Sequence, residues 1–204
     1  MSGRSAPQNA LAFEQRVLAF DVDAVLYMAL PDDRRRVTRA LMEAVRKGYE
    51  LPPYISAIVQ RAGVQPQMRD HAFNQRLEPF LGEIESEAFR RIIALSHENA
   101  ILPIWVLLAR TYEAEDPAAV ARDVANAQAQ GFEVLNLVGL YDGRDRRSLA
   151  LAEWDTHPNA VAHRLIADRL YEHFCARQDW LARWRDDSAS SARRVARQDP
   201  PPAP

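Results

Sequence analysis

Three short stretches of the chain are predominantly apolar, the first two almost without interruption. They are Asp23-Ala24-Val25-Leu26-Tyr27-Met28-Ala29, the nine residues from Ile101 to Ala109, and Phe132-Glu133-Val134-Leu135-Asn136-Leu137. Runs this short, rich in Val, Ile and Leu, predict the strands of a parallel sheet, the first two covered on both faces. Pro103 lies near the start of the second run, where a missing donor is tolerable. Between the runs the apolar period lengthens to that of a helix. Helices are predicted over Leu11–Phe20, Arg34–Lys47, Ser86–Asn99, Pro117–Gln130 and Asn159–Phe174. Gly48 and Gly131 stand where two of these helices stop, at the position that favours a left-handed residue, and Asp116-Pro117 opens the fourth. In the last helix Val161, Leu165, Ile166, Leu170 and Phe174 are expected on the inner face.

Strands alternating with helices imply a layered α/β domain. Residues 49–85, with Pro52, Pro53, Pro66 and Pro79, break that rhythm and suggest an inserted helical lid. The tail 186–204 holds Ser, Arg and Pro with almost no large apolar residue, so it is expected to be disordered. This leaves 1–185 as one domain.

The chain has 204 residues, 48% hydrophobic and 26% charged, with a net charge of −2. This balance gives no electrostatic reason to expect nucleic acid or an anionic membrane as partner. No uncharged apolar run is long enough for a membrane span, and the first residues lack the apolar segment of a secretory signal. A cytoplasmic protein is expected. The one cysteine, Cys175, reads as a small buried apolar residue. Trp180 and Trp184, four residues apart, read as packing residues or an interaction patch. Asp32-Asp33-Arg34-Arg35-Arg36 reads as a solvated helix start, its acids matching the helix dipole.

The segment that carries chemistry is Trp154-Asp155-Thr156-His157-Pro158-Asn159. Pro158 pushes His157 into an extended conformation and suits the first turn of a helix. An imidazole so placed sits beside a helix N-terminus. An Asp two residues earlier can take its Nδ1 proton, fix the tautomer and leave Nε2 as general base. The alternative is a surface pair that caps the helix. His163, further along, reads as a structural residue. His157, His163 and Asp155 lack a spacing that gathers them on one face, so no metal and no cofactor is expected.

The run Asp155-x-His157-Pro158-Asn159-x-x-Ala162-His163-x-x-x-Ala167 resembles the last sequence block of the SGNH/GDSL hydrolases, serine esterases and lipases. In that family the block supplies the catalytic Asp and His. Ala162 stands where family members usually have Gly, and Glu153 is the second choice for the acid. Phe20 to Tyr27 is similar to the family's third strand, and Ala29-Leu30-Pro31-Asp32 takes the place of its Gly-x-Asn-Asp. Pro31 cannot donate to an oxyanion as the family's Asn does, a loss of about 3 kcal/mol in such sites.

The resemblance covers Leu11 to Phe174 and implies a three-layer αβα, flavodoxin-like sheet, N-terminally truncated, with a helical insertion. It implies cleavage of a small-molecule acyl or acetyl ester by a Ser-His-Asp mechanism, with Asp155 and His157 as the acid-base half. Gly3 and Asp32 would stand at the substrate or oxyanion side. No serine lies in the family's Gly-Asp-Ser setting; Ser2 and Ser5 are the nearest candidates for the nucleophile. The chain alone is then expected to be inactive or incomplete, or a non-catalytic interaction protein derived from that fold. The implied truncation exposes the edge of the strand at Ala24–Met28 and invites self-association or a partner strand.

Overall fold

The computed structural model describes residues 4–180, apart from positions 21 and 32. The expectations for Gly3, Asp32, Ser2, Trp184 and the tail 186–204 therefore lie outside the described residues. The fold is mixed α/β, with helices flanking two small sheets. The chain divides into two compact units. The first runs to Ala109 and includes Ala114–Val138; the second joins Arg110–Glu113 to the residues from Gly139 on.

In the first unit the chain order is α1 (Ala6–Gln15), β1 (Ala24–Ala29), α2 (Asp33–Lys47), α3 (Pro53–Ala62), α4 (Asp70–Leu77), α5 (Leu81–Glu98), β2 (Leu102–Leu107), α6 (Pro117–Gln130) and β3 (Glu133–Asn136). The three apolar runs pair as a parallel sheet in the order β1-β2-β3, with Leu26 opposite Ile104 and Val106 opposite Leu135. The central strand β2 is buried at every position, which accounts for its unbroken apolar sequence. Tyr27, Phe89 and Phe132 meet edge to face at 5.3, 6.2 and 5.3 Å between ring centres, joining β1, α5 and the entry to β3. A second apolar core gathers Val37 and Leu41 of α2, Ile55 and Ile58 of α3, Phe73 of α4 and Ile84 of α5. Residues 49–85 thus hold α3, α4 and the first turn of α5, and they share their core with α2.

Three helices leave by the same turn. After α2, α5 and α6 the residues Gly48, Ala100 and Gly131 take φ of 65°, 56° and 103°. In each case the next N–H reaches back over the last turn: Tyr49 to Ala44 at 2.9 Å, Ile101 to Ser96 at 2.8 Å and Phe132 to Ala127 at 3.2 Å. This is the Schellman arrangement, which satisfies carbonyls that the helix end leaves over.

Some element limits differ from the pattern. Helix α1 starts at Ala6 rather than Leu11, because Ser5 and Gln8 form a capping pair: the Ser5 N–H donates to Gln8 Oε1 at 3.0 Å. It stops at Gln15 and passes into a 3-10 turn at Val17–Ala19. Helix α5 starts at Leu81 rather than Ser86, since Pro79 lies in a 3-10 turn that feeds directly into it. The arginines at the start of α2 are not simply solvated. Arg34 Nε lies 3.8 Å from the buried carboxylate of Glu85. Asn126 donates to the same carboxylate at 3.1 Å and accepts the Ser86 hydroxyl at 2.7 Å. Such partners offset the hydration that a buried carboxylate gives up.

Ala100 holds, as an L-residue, a conformation costing roughly 1–2 kcal/mol. Ala100→Gly is expected to raise unfolding free energy by about 0.5–1.5 kcal/mol, after the loss of chain stiffness, which itself costs ~0.5 kcal/mol, is subtracted. Ala100→Val should lower it. Urea denaturation of the three proteins checks the order.

Candidate functional site

The second unit is built on an antiparallel hairpin, β4 (Ala150–Ala152) and β5 (Asp155–Pro158), followed by α7 (Ala160–Ala176). The hairpin was not predicted. Its first strand has three residues, too few to show an alternation, and its turn at Glu153-Trp154 has no glycine or asparagine. His157 lies in β5, extended as Pro158 requires.

Helix α7 starts one residue later than expected, and the cap is Asn159. Its Oδ1 accepts the N–H groups of Val161 and Ala162 at 3.0 and 3.1 Å. Its Nδ2 donates to the carbonyls of Ser148 and Ala150 at 2.8 and 3.1 Å, and its own N–H donates to Leu149 at 2.9 Å. Hairpin and helix are joined through this one side chain. The cap turns Ala162 fully inward and Val161 outward, so the inner face is shifted from the predicted one. A larger residue at 162 would meet that packing. Cys175 is exposed, contrary to the buried position expected of it, and His163 is exposed as well, because both fall on the outer side of α7. Trp180 packs as predicted, its ring 5.6 Å from that of His173 and 5.7 Å from that of Phe174.

Asp155 and His157 are brought together. His157 Nδ1 lies 2.6 Å from Asp155 Oδ1, and the His157 backbone N–H donates to the same oxygen at 3.0 Å. The imidazole is 74% exposed and the carboxylate 26%. Glu153 is exposed in the hairpin turn, and the carboxylate against the ring is that of Asp155. The pairing uses Nδ1 and leaves Nε2 for other chemistry. The His157 N–H, and after it the ring, hold the Asp155 carboxyl below its ordinary value.

Two further residues belong to this arrangement and gave no signal in the sequence. Thr111, 2% exposed, donates its hydroxyl to the carbonyl of Thr156, between the two members of the pair. Arg146 donates to the carbonyls of Arg110 and Glu113, both at 2.9 Å, and to Asp142 at 3.0 Å. These contacts join positions 36 and 45 residues apart, which no local pattern can reveal.

Of the two serine candidates for the nucleophile, Ser2 lies outside the described residues. Ser5 is buried in the cap of α1, its hydroxyl 3.1 Å from Gln8 Oε1. Among the described residues no serine hydroxyl is bonded to His157. In the first unit a cleft of 290 Å³ lies beside β1, with Phe13, Val25 and Tyr27 in its wall, and another of 640 Å³ is lined by Leu11, Pro52, Pro53 and Tyr54. Neither includes Asp155 or His157. Among the described residues no group of His, Cys, Asp and Glu could hold a metal ion, and no helix is long and apolar enough to cross a membrane.

No family model, curated protein or solved structure matches this chain. The functional reading therefore stands on the residues and their geometry.

The Asp155 carboxyl is held low, so its contribution to stability is complete above the ordinary Asp value of about 3.9 and is lost as pH falls through the depressed value. Wild type is expected to exceed Asp155→Asn in urea midpoint at neutral pH. The two should converge in acid. A gap that persists unchanged at low pH would contradict the pairing.

Proposed function

We propose that this chain carries the acid-base half of an SGNH/GDSL-type ester hydrolase, on a flavodoxin-like three-layer fold. His157 is the general base and Asp155 its orienting acid, and the substrate is a carboxylic ester with an acyl or acetyl group. The observation that carries this reading is the 2.6 Å contact between His157 Nδ1 and Asp155 Oδ1 on an exposed ring. A carboxylate so placed fixes the Nδ1–H tautomer and stabilises the imidazolium that forms when Nε2 takes a proton from a serine. Parallel strands between helices are consistent with the fold. No cofactor is needed for this chemistry.

The nucleophile is the missing part. Asp155 and His157 by themselves can orient and accept a proton but cannot form an acyl-enzyme. The 204-residue chain is therefore expected to resist labelling by a fluorophosphonate probe. A product in which a strand ending in Gly-Asp-Ser is joined ahead of this chain is expected to hydrolyse p-nitrophenyl acetate. In that product His157→Ala and Asp155→Asn should each lower kcat by roughly a thousandfold or more. Equal rates for the parent and His157→Ala would end the esterase reading.

The alternative reading, a non-catalytic interaction protein derived from that fold, is favoured by one observation: Ser5 is consumed in a helix cap. A labelled serine on the 204-residue chain would remove this alternative. Either reading includes self-association through β1. Among the described residues β1 pairs only with β2, and Leu26 and Met28 are 37% and 43% exposed. Light scattering should find a mass that rises with concentration. A monomer at every concentration would count against it.

A further inference from the structure

We infer that Thr111 is a positioning residue for the Asp155–His157 pair, and that Arg146 holds the loop from which Thr111 acts. The inference deepens the acid-base reading and takes its chemical meaning from it. It starts from one peptide unit. The carbonyl of Thr156 accepts the Thr111 hydroxyl, and the N–H of the same unit, that of His157, donates to Asp155 Oδ1 at 3.0 Å.

A peptide bonded at both ends is fixed in its plane, because rotating it would break one bond or the other. A donor at the carbonyl also polarises the unit and makes its N–H a stronger donor. The carboxylate oxygen that receives this N–H is the one that receives Nδ1 at 2.6 Å. Thr111 therefore sets where the acceptor for the ring lies, without touching the ring.

Exposure makes this help necessary. The ring is 74% exposed, so packing does not lock its rotamer and solvent competes for Nδ1. What resists that competition is a carboxylate held still by bonds from a buried source. Thr111 is that source, since its side chain is shielded from water.

Thr111 must itself be anchored, and its loop has no regular structure to do so. Arg146 supplies the anchor. Its guanidinium bonds the carbonyls on either side of Thr111, at Arg110 and Glu113, and Asp142 balances its charge. The fork geometry of a guanidinium suits two carbonyls and a carboxylate at once; an ammonium does not fix three directions in a plane.

The test reads the tautomer of the neutral His157 ring by long-range nitrogen–proton NMR on the full chain labelled with 15N-histidine. Wild type should be mainly the Nδ1–H form. Thr111→Val should move the ring toward the mixture of a free imidazole, and Thr111→Ser should restore the wild-type spectrum. Thermal melting of each variant establishes that it is folded. Arg146→Lys, which leaves the hydroxyl in place, should give a smaller move in the same direction and serves if Thr111→Val does not fold. A folded Thr111→Val or Arg146→Lys protein with the wild-type tautomer would overturn the inference alone. A wild-type ring without an Nδ1–H preference would overturn the pairing on which both this inference and the acid-base reading rest.

Discussion

The second unit depends on the side chain of Asn159, which is both acceptor and donor. Its oxygen closes the first turn of α7, and its nitrogen holds the backbone of the segment leading into β4. An aspartate could cap the helix equally well but could not donate to two carbonyls. A serine could not span the distance between them. The amide is thus the smallest group that sets the helix and the hairpin in one geometry, and His157 lies two residues before it. The Asp155–His157 pair is built on the strand that this joint holds.

The pair works by geometry more than by field strength. Both groups face solvent, where a bare ion pair contributes little and is screened by salt. The carboxylate is instead oriented by the main-chain N–H of the residue it serves. Such bonds within a short segment are independent of long side chains and carry little entropy penalty. This is why an Asp two residues before the His can act, although the ring it holds is open to water.

The larger elements were legible in the sequence because each rests on local information. The three parallel strands follow from apolar runs, and Gly48 and Gly131 mark helix ends because only their position and lack of a side chain are needed to see them. Ala100 makes the same turn without glycine, and the end expected at Asn99 lies within one residue of the observed end at Glu98. The start of α1 was missed though Ser5 and Gln8 stand at capping distance, since the apolar period begins later. Pro79 was read as a break and proved to be an entrance to α5. In the site, Asp155 and His157 were legible because they are neighbours. Thr111 and Arg146 were not, because their partners are carbonyls, which every residue possesses. The Arg34–Glu85–Asn126 network failed for the same reason of distance, and because three arginines in a row look like a wetted surface.

A clasp that grips main-chain oxygens is blind to the residues whose oxygens it grips. Arg146 would close on the 110–113 loop whatever side chains that loop carried, provided Thr111 remained. Tyr112 and Glu113 are exposed and each meets the Arg110 guanidinium, so substitutions there would change that contact while leaving the main-chain grip of Arg146 in place. A loop of that kind can change its outward chemistry, and with it what it meets at the rim, while its path through space stays constant.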